Sequence, residues 1–183
     1  EEAKLKMMGI EAIKSSTPAP CRKMIKDALN IIMTQENEDL IKFIDDFRTE
    51  FYSMPPEDIA FPRSVNGLTK WSDPVTLYKK SCPIHVRGAL LYNHQLKSNR
   101  LKHKYPIIQE GEKIKYVYLK EPNVLGQNVM SFIQEFPREI PKVSDQIDYK
   151  TQFEKSFITP LKNILDVIGW KTKQESNLEF LFV

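Results

Sequence analysis

Asp45-Asp46, the pair Cys82-x-x-His85, and the histidines His85, His94 and His103 are the residues whose types and spacing suggest a metal site or proton transfer. The two aspartates fall in a stretch where Leu40, Ile44, Phe47 and Phe51 are spaced by 4, 3 and 4. That spacing is one face of an amphipathic helix, so Asp45-Asp46 faces away from the apolar stripe and reads as a solvated surface. The histidines recur every nine residues. Nine helical steps turn about 180° beyond two full turns, so His85 and His94 would lie on opposite faces of a shared helix. Cys82-x-x-His85 is followed by no second pair at zinc spacing. The six glycines form no Gly-rich phosphate loop. No nucleophile, base and orienting group can be assembled from the sequence. On its own, the segment is expected to hold no catalytic residue and no metal.

Binding is the chemistry that remains. The net charge is only +3, and its distribution says more than its total. Residues 63–120 carry twelve Lys and Arg against only Asp73, Glu110 and Glu112, a local excess of +9. Lys70-Trp71, Lys79-Lys80 and Cys82-Pro-Ile-His-Val-Arg-Gly88 lie in this stretch. Lys and Arg interleaved with aromatics suit phosphates and sugars; the same residues also suit an ordinary soluble surface. The C-terminus ends in Leu178-Glu-Phe-Leu-Phe-Val183 after the polar stretch Lys171–Asn177. Such an end either inserts into a partner's groove or folds back onto its own core.

These groups need elements to hold them. Ser15-Ser-Thr-Pro18 predicts a helix start, with a hydroxyl cap and Pro18 at the first helical position. Cys21, Met24, Ile25, Ala28, Ile31 and Ile32 mark the buried face of that helix. A second helix is predicted from about 37 to 52, making an antiparallel hairpin with the first. Residues 4–14 are read as a strand bent at Gly9, with a helix as the alternative, since the next segment has the better helix start. Residues 57–81 are read as more loop than regular element, 85–96 as a helix, and 113–120 as a strand. A long helix is predicted over 150–168, kinked at Pro160 and capped by Gly169.

Hydrophobic residues make up 41% and charged residues 28% of the 183, an ordinary globular composition. No apolar run is long enough to span a membrane, and no membrane partner is expected. Cys21 and Cys82 make no disulfide framework and are expected to be reduced thiols. The chain begins with Glu-Glu and shows no secretory signal; it reads as an excised or split segment of something longer.

Taken together, the segment resembles the replicative DNA polymerases of T-even-type tailed phages, which are family B enzymes. The resemblance covers nearly the whole chain. It is carried by Lys4-Leu-Lys-Met-Met-Gly9 with Lys14-Ser-Ser-Thr-Pro18, by Cys82-Pro-Ile-His-Val-Arg-Gly88, and by Gly111-Glu-Lys113. Phe153-Glu-Lys-Ser-Phe157 with Pro160-Leu161, and the terminal Leu178-Glu-Phe-Leu-Phe182, complete it. It implies an α+β, mainly helical fold: a polymerase thumb with a small β-containing subdomain and a terminal palm strand. Residues 1–14 would end the palm domain, 15–170 would form the thumb, and 171–183 would be a linker and a sliding-clamp-binding tail. The family's catalytic aspartates and their Mg2+ ions belong to the palm upstream, so no cofactor is expected here.

The resemblance also implies roles for single residues. Lys14 matches a lysine that probes the minor groove near the primer end, where every correct base pair presents acceptors. Ser64, Lys70 and Trp71 match contacts to the primer–template backbone, with Trp71 in place of a usual tyrosine. Arg87, Lys113 and Lys155 match further backbone contacts. Asn128 and Thr159 stand where relatives can carry lysines. Ser81 stands where a basic residue usually precedes the Cys-Pro motif, which leaves Lys80, one step back, as the DNA-contact candidate. Leu178, Phe180, Leu181 and Phe182 would anchor the tail to the clamp. The implied partners are primer–template DNA, a sliding clamp, and the palm, fingers and exonuclease of the same polymerase. The implied location is the cytoplasm of the infected bacterial host. A separate, non-catalytic DNA-binding subunit of a split polymerase is the alternative, and a stand-alone clamp-binding protein is a third reading.

Overall fold

Each stretch with a clear apolar stripe forms the helix its period predicts, and the helices sort into two compact units: Glu1–Ile59 together with the chain from Lys150 onward, and Ala60–Tyr149. The structure is a computed structural model that describes residues 1–77, 79–167 and 169. No helix among them is long and apolar enough to cross a membrane.

The first unit is helical. Its elements are α1 (Glu2–Glu11), α2 (Ala19–Thr34), α3 (Asn37–Ser53), the short α4 (Pro56–Ile59) and α8 (Thr159–Val167). Residues 4–14 are therefore not the expected strand. A strand needs a neighbour for its N–H and C=O groups, whereas a helix pairs them internally. Gly9 also serves as a contact rather than a bend: a Cβ there would lie 3.1 Å from Leu29 Cδ1 and 3.3 Å from Ile164 Cγ2. The absent side chain lets α1 approach α2 and α8.

The start of α2 differs from expectation too. Its N-cap is Pro18, with no side-chain cap, and Pro20 occupies the first turn. Proline is tolerated there because the first N–H groups of a helix have no intrahelical acceptor. A capping box starts α3: Glu36 and Asp39 each accept from the other's backbone N–H. Leu40, Ile44, Phe47 and Phe51 are all buried, as their spacing predicts. Phe47 packs 4.9 Å from Phe157 and Phe51 packs 5.2 Å from Phe153, ring centre to ring centre. Edge-on aromatic pairs of this kind add to the gain from burial.

The long C-terminal helix is interrupted. Between α7 (Tyr149–Phe153) and α8 lies a π-helical segment, Glu154–Ile158. Pro160 explains it. The proline has no N–H for the carbonyl four residues back, and its ring crowds that carbonyl. A wider turn just upstream relieves both problems. Ser156 Oγ donates to Gln152 O at 2.6 Å, Cys21 Sγ donates to Ser156 Oγ at 3.4 Å, and Gln152 Nε2 donates to Ile59 O at 2.7 Å. Burial pushes the Cys21 thiol up to about 11, against the opposing Ser156 hydrogen bond. Gly169 has φ +65° and donates its N–H to Asp166 O, the conformation expected after a helix end.

The second unit contains the sheet: β1 (Phe61–Ser64), β2 (Lys113–Tyr118) and β3 (Val129–Phe132), antiparallel in the order β1-β2-β3. β1 occupies part of the stretch read as loop. Pro62 is compatible with it because β1 is an edge strand, where a missing N–H is tolerated. All four residues of β3 are buried, so it has no alternating pattern to reveal it. The helix α6 (Ile84–Ser98) packs against β3, and a short α5 (Pro74–Leu77) precedes it. A Cβ on Gly88 would lie 2.4 Å from Ser131 Oγ, and that hydroxyl donates to His85 O at 2.9 Å. Away from the sheet, Lys104 and Tyr105 both hydrogen-bond Glu139 and hold its carboxyl down at about 2.

Candidate nucleic-acid interface

The sheet unit carries the charge. Ala60–Tyr149 holds fourteen Lys and Arg against eight Asp and Glu, a net of +6 in a chain of net +3. Register decides which of these side chains meet. Ser64 stands directly opposite Lys113 at the end of the β1–β2 ladder, and both are exposed. The pairing continues past the strands: Val65 N–H donates to Glu112 O at 2.9 Å, and Gly111 N–H donates to Val65 O at 2.7 Å. The loop that follows β1 is fastened to the same end. Gly67 N–H and Leu68 N–H donate to the two carboxylate oxygens of Glu110 at 2.5 and 2.9 Å. Trp71 N–H donates to Gly67 O at 3.1 Å, and Lys70 Nζ sits 5.0 Å from the centre of the Trp71 ring. Four of the sequence-predicted residues, Ser64, Lys70, Trp71 and Lys113, are thus gathered at one end of the β1–β2 ladder.

Lys80 and Arg87 belong to the start of α6. Lys80 is exposed in the turn before the helix; Arg87 is half-buried in its first turn. Arg87 donates from Nη2 to Asn128 Oδ1 at 3.4 Å, while its Nε is buried without a partner. Asn128 thus engages Arg87 with an acceptor, where a lysine would set a like charge. Lys14 and Lys155 lie in the helical unit. Lys14 is exposed in the turn between α1 and α2, and Lys155 is exposed on the π segment. Leu178, Phe180, Leu181 and Phe182 lie outside the described residues.

Two residues were missed as contact candidates, Arg63 and Tyr116. Alternation along β1 and β2 puts Phe61, Arg63, Tyr116 and Tyr118 on one face of the sheet. The Phe61 and Tyr116 rings lie 5.2 Å apart, and those of Tyr116 and Tyr118 lie 6.1 Å apart. Burial raises the Tyr116 hydroxyl, while the Arg63 guanidinium, which hydrogen-bonds it, opposes the rise. His85 is buried beside this layer, 6.2 Å from Tyr116, with Nδ1 unpartnered. Burial and the Arg63 charge hold its pKa below the ordinary value, against a hydrogen bond with the Ser64 backbone. Both effects favour the neutral ring. The alternation of Lys113-Ile-Lys-Tyr-Val-Tyr118 hinted at a two-faced strand; the pairing of Arg63 with it, across fifty residues, had no local signal.

In chemical terms, groups of this kind can pair with phosphates. Exposed ammonium groups, a hydroxyl and an indole sit at one end of the β1–β2 ladder, and a half-buried guanidinium on α6 belongs to the same unit. Among the described residues, no three His, Cys, Asp or Glu side chains converge as a metal site requires.

No protein-family model matches the chain. The chain is 29% identical over 184 aligned residues to the DNA-directed DNA polymerase of Enterobacteria phage T4, and 30% identical over 186 to that of Escherichia phage RB69. Both alignments cover 99% of the chain, which spans about a fifth of the length of these relatives. Among solved structures it is similar to the family B DNA polymerase from the hyperthermophilic archaeon Pyrobaculum calidifontis. That match has a TM-score of 0.49 and 15% identity, and it covers 87% of this chain and 19% of that one. Over nearly its whole length, the chain is homologous to the DNA-directed DNA polymerases of phages T4 and RB69.

Proposed function

We propose that this chain is the C-terminal portion of a DNA-directed DNA polymerase, and that it grips the primer–template duplex while catalysis proceeds elsewhere in the enzyme. Homology along 99% of the chain to two phage DNA polymerases carries the reading. The clustering of Ser64, Lys70, Trp71 and Lys113 at one end of the β1–β2 ladder supports the grip. A replicative enzyme must hold any sequence and still slide. Many weak backbone contacts do this better than base readout. Arg87 and Lys80 extend the contact, and Lys14 and Lys155 supply it from the helical unit.

In this reading residues 1–14 end the palm, 15–170 form the thumb, and 171–183 tether the enzyme to a sliding clamp through Leu178, Phe180, Leu181 and Phe182. Tethering raises the local concentration of the polymerase at the primer end without new contacts to DNA. Mg2+ and the carboxylates that bind it belong to the upstream palm. The enzyme works in the cytoplasm of the infected bacterium.

The test is binding to primer–template duplex across a salt series, with the chain alone and with the full-length enzyme. The expected result is little sequence preference and an affinity that falls steeply with salt, with a slope that counts the phosphates engaged. Salt-independent binding, or no binding by either protein at low salt, rejects the grip.

A further inference from the structure

We propose that Glu110 is a positioning residue for DNA contact: its carboxylate fastens the Asn66–Trp71 loop to the start of β2, and so holds Lys70 and Trp71 beside Ser64 and Lys113. The inference rests on the reading that this unit binds DNA.

The geometry is specific. Oε1 accepts from Gly67 N–H at 2.5 Å and Oε2 accepts from Leu68 N–H at 2.9 Å, across more than forty residues of sequence. Two consecutive amides converge on one anion where the backbone turns so that both N–H groups point the same way, as in a nest. Gly67 makes that turn with φ +94°, a conformation that costs glycine little. The same glycine is the seat of Trp71: a Cβ there would lie 3.3 Å from the indole Cδ1. A continuous chain of contacts therefore runs from Glu110 through Gly67 to Trp71 and its neighbour Lys70. Glu110 is exposed, so burial does not explain its placement; charge-assisted hydrogen bonds do.

Electrostatics makes the idea testable by sign. Glu110 is one of only three acids in the +9 stretch 63–120. A carboxylate beside a phosphate-binding patch repels DNA, so charge alone makes Glu110→Ala bind DNA more tightly. Positioning makes it bind more weakly, because the loop that carries Lys70 and Trp71 is released.

The experiment compares wild type, Glu110→Ala and Glu110→Gln in the 183-residue chain, with a primer–template duplex across a salt series. Glu110→Ala is expected to bind about five- to tenfold more weakly near 0.1 M salt, with a salt slope reduced by about one. Glu110→Gln keeps an oxygen acceptor for one amide and is expected to recover part of the loss. Equal or tighter binding by Glu110→Ala overturns the proposal. A second readout needs no DNA. In a Trp170→Phe background Trp71 is the sole tryptophan, and its emission should shift to the red when Glu110 is Ala. Unchanged emission also overturns the proposal. If the wild-type chain fails to bind DNA, the same variants are compared in the full-length enzyme; failure of both wild-type proteins to bind rejects the DNA-grip reading, while the emission still decides whether Glu110 fastens the loop.

Discussion

Gly88 of α6 sits so close to Ser131 of β3 that a Cβ would lie 2.4 Å from its Oγ and 2.9 Å from its backbone N. Ser131 Oγ in turn donates to His85 O. The contact sets how closely the helix carrying Arg87 approaches the sheet, so one glycine in the Cys82–Gly88 motif is a packing residue. Gly88→Ala forces backbone as well as side chain to shift. It is expected to destabilise the protein by about 1–3 kcal/mol, the usual cost of overpacking. Urea unfolding checks this; an unchanged midpoint would mean that the helix retreats without cost.

Cys21 contributes to the dependence of stability on alkaline pH. In the unfolded chain it ionises near its ordinary value of 9.0, in the folded protein near 11. Between those values the unfolded state has lost the proton and the folded state keeps it. Stability is therefore complete below pH 9 and falls as pH rises to 11, by up to about 2–3 kcal/mol. Cys21→Ala, though less stable at neutral pH, is expected to show a flatter decline across that window. Burial also raises Cys82, Tyr92, Tyr105, Tyr116 and Tyr118, so a residual decline at alkaline pH remains in both proteins. Parallel curves for wild type and variant would remove Cys21 as the cause.

The two classes of lysine should behave differently. If Lys113 contacts the DNA backbone as proposed, Lys113→Ala weakens binding to all duplexes alike and lowers the salt slope by about one. Lys14→Ala, tested in the full-length polymerase, is expected to slow extension from a correctly paired primer more than it weakens DNA binding. Equal loss in the two assays would remove the minor-groove role of Lys14.

Removal of residues 178–183 addresses the tail. Short synthesis on a bare primer should be unaffected, and the stimulation of long synthesis by a sliding clamp should disappear. Unchanged product length in the presence of the clamp would reject the tether.

Much of the helical unit was legible because its signal is local. The 4, 3, 4 spacing of Leu40, Ile44, Phe47 and Phe51 is the helix period itself, and these side chains are buried as that spacing requires. Pro160 announced an interruption for the same reason, since its missing N–H acts within one turn. Residues 4–14 misled because Lys-Leu-Lys alternates like a strand while Gly9, whose purpose is contact with Leu29 and Ile164, looks like a bend. At the interface, residue types and the basic stretch were readable. The fastening of Gly67 and Leu68 by Glu110 was not, since a carboxylate in a turn carries no mark of the amides it will meet.

By itself, the sequence determined which stretches must be amphipathic helices and where positive charge concentrates. Each follows from residue type and short spacing. Only the tertiary structure decided that Ser64 faces Lys113, that Arg63 reaches Tyr116, and that Pro62 lies on an edge strand. Strand register is settled by burial and hydrogen bonding summed over the whole sheet. A pairing between residues fifty apart therefore has no local cause that a linear reading can find.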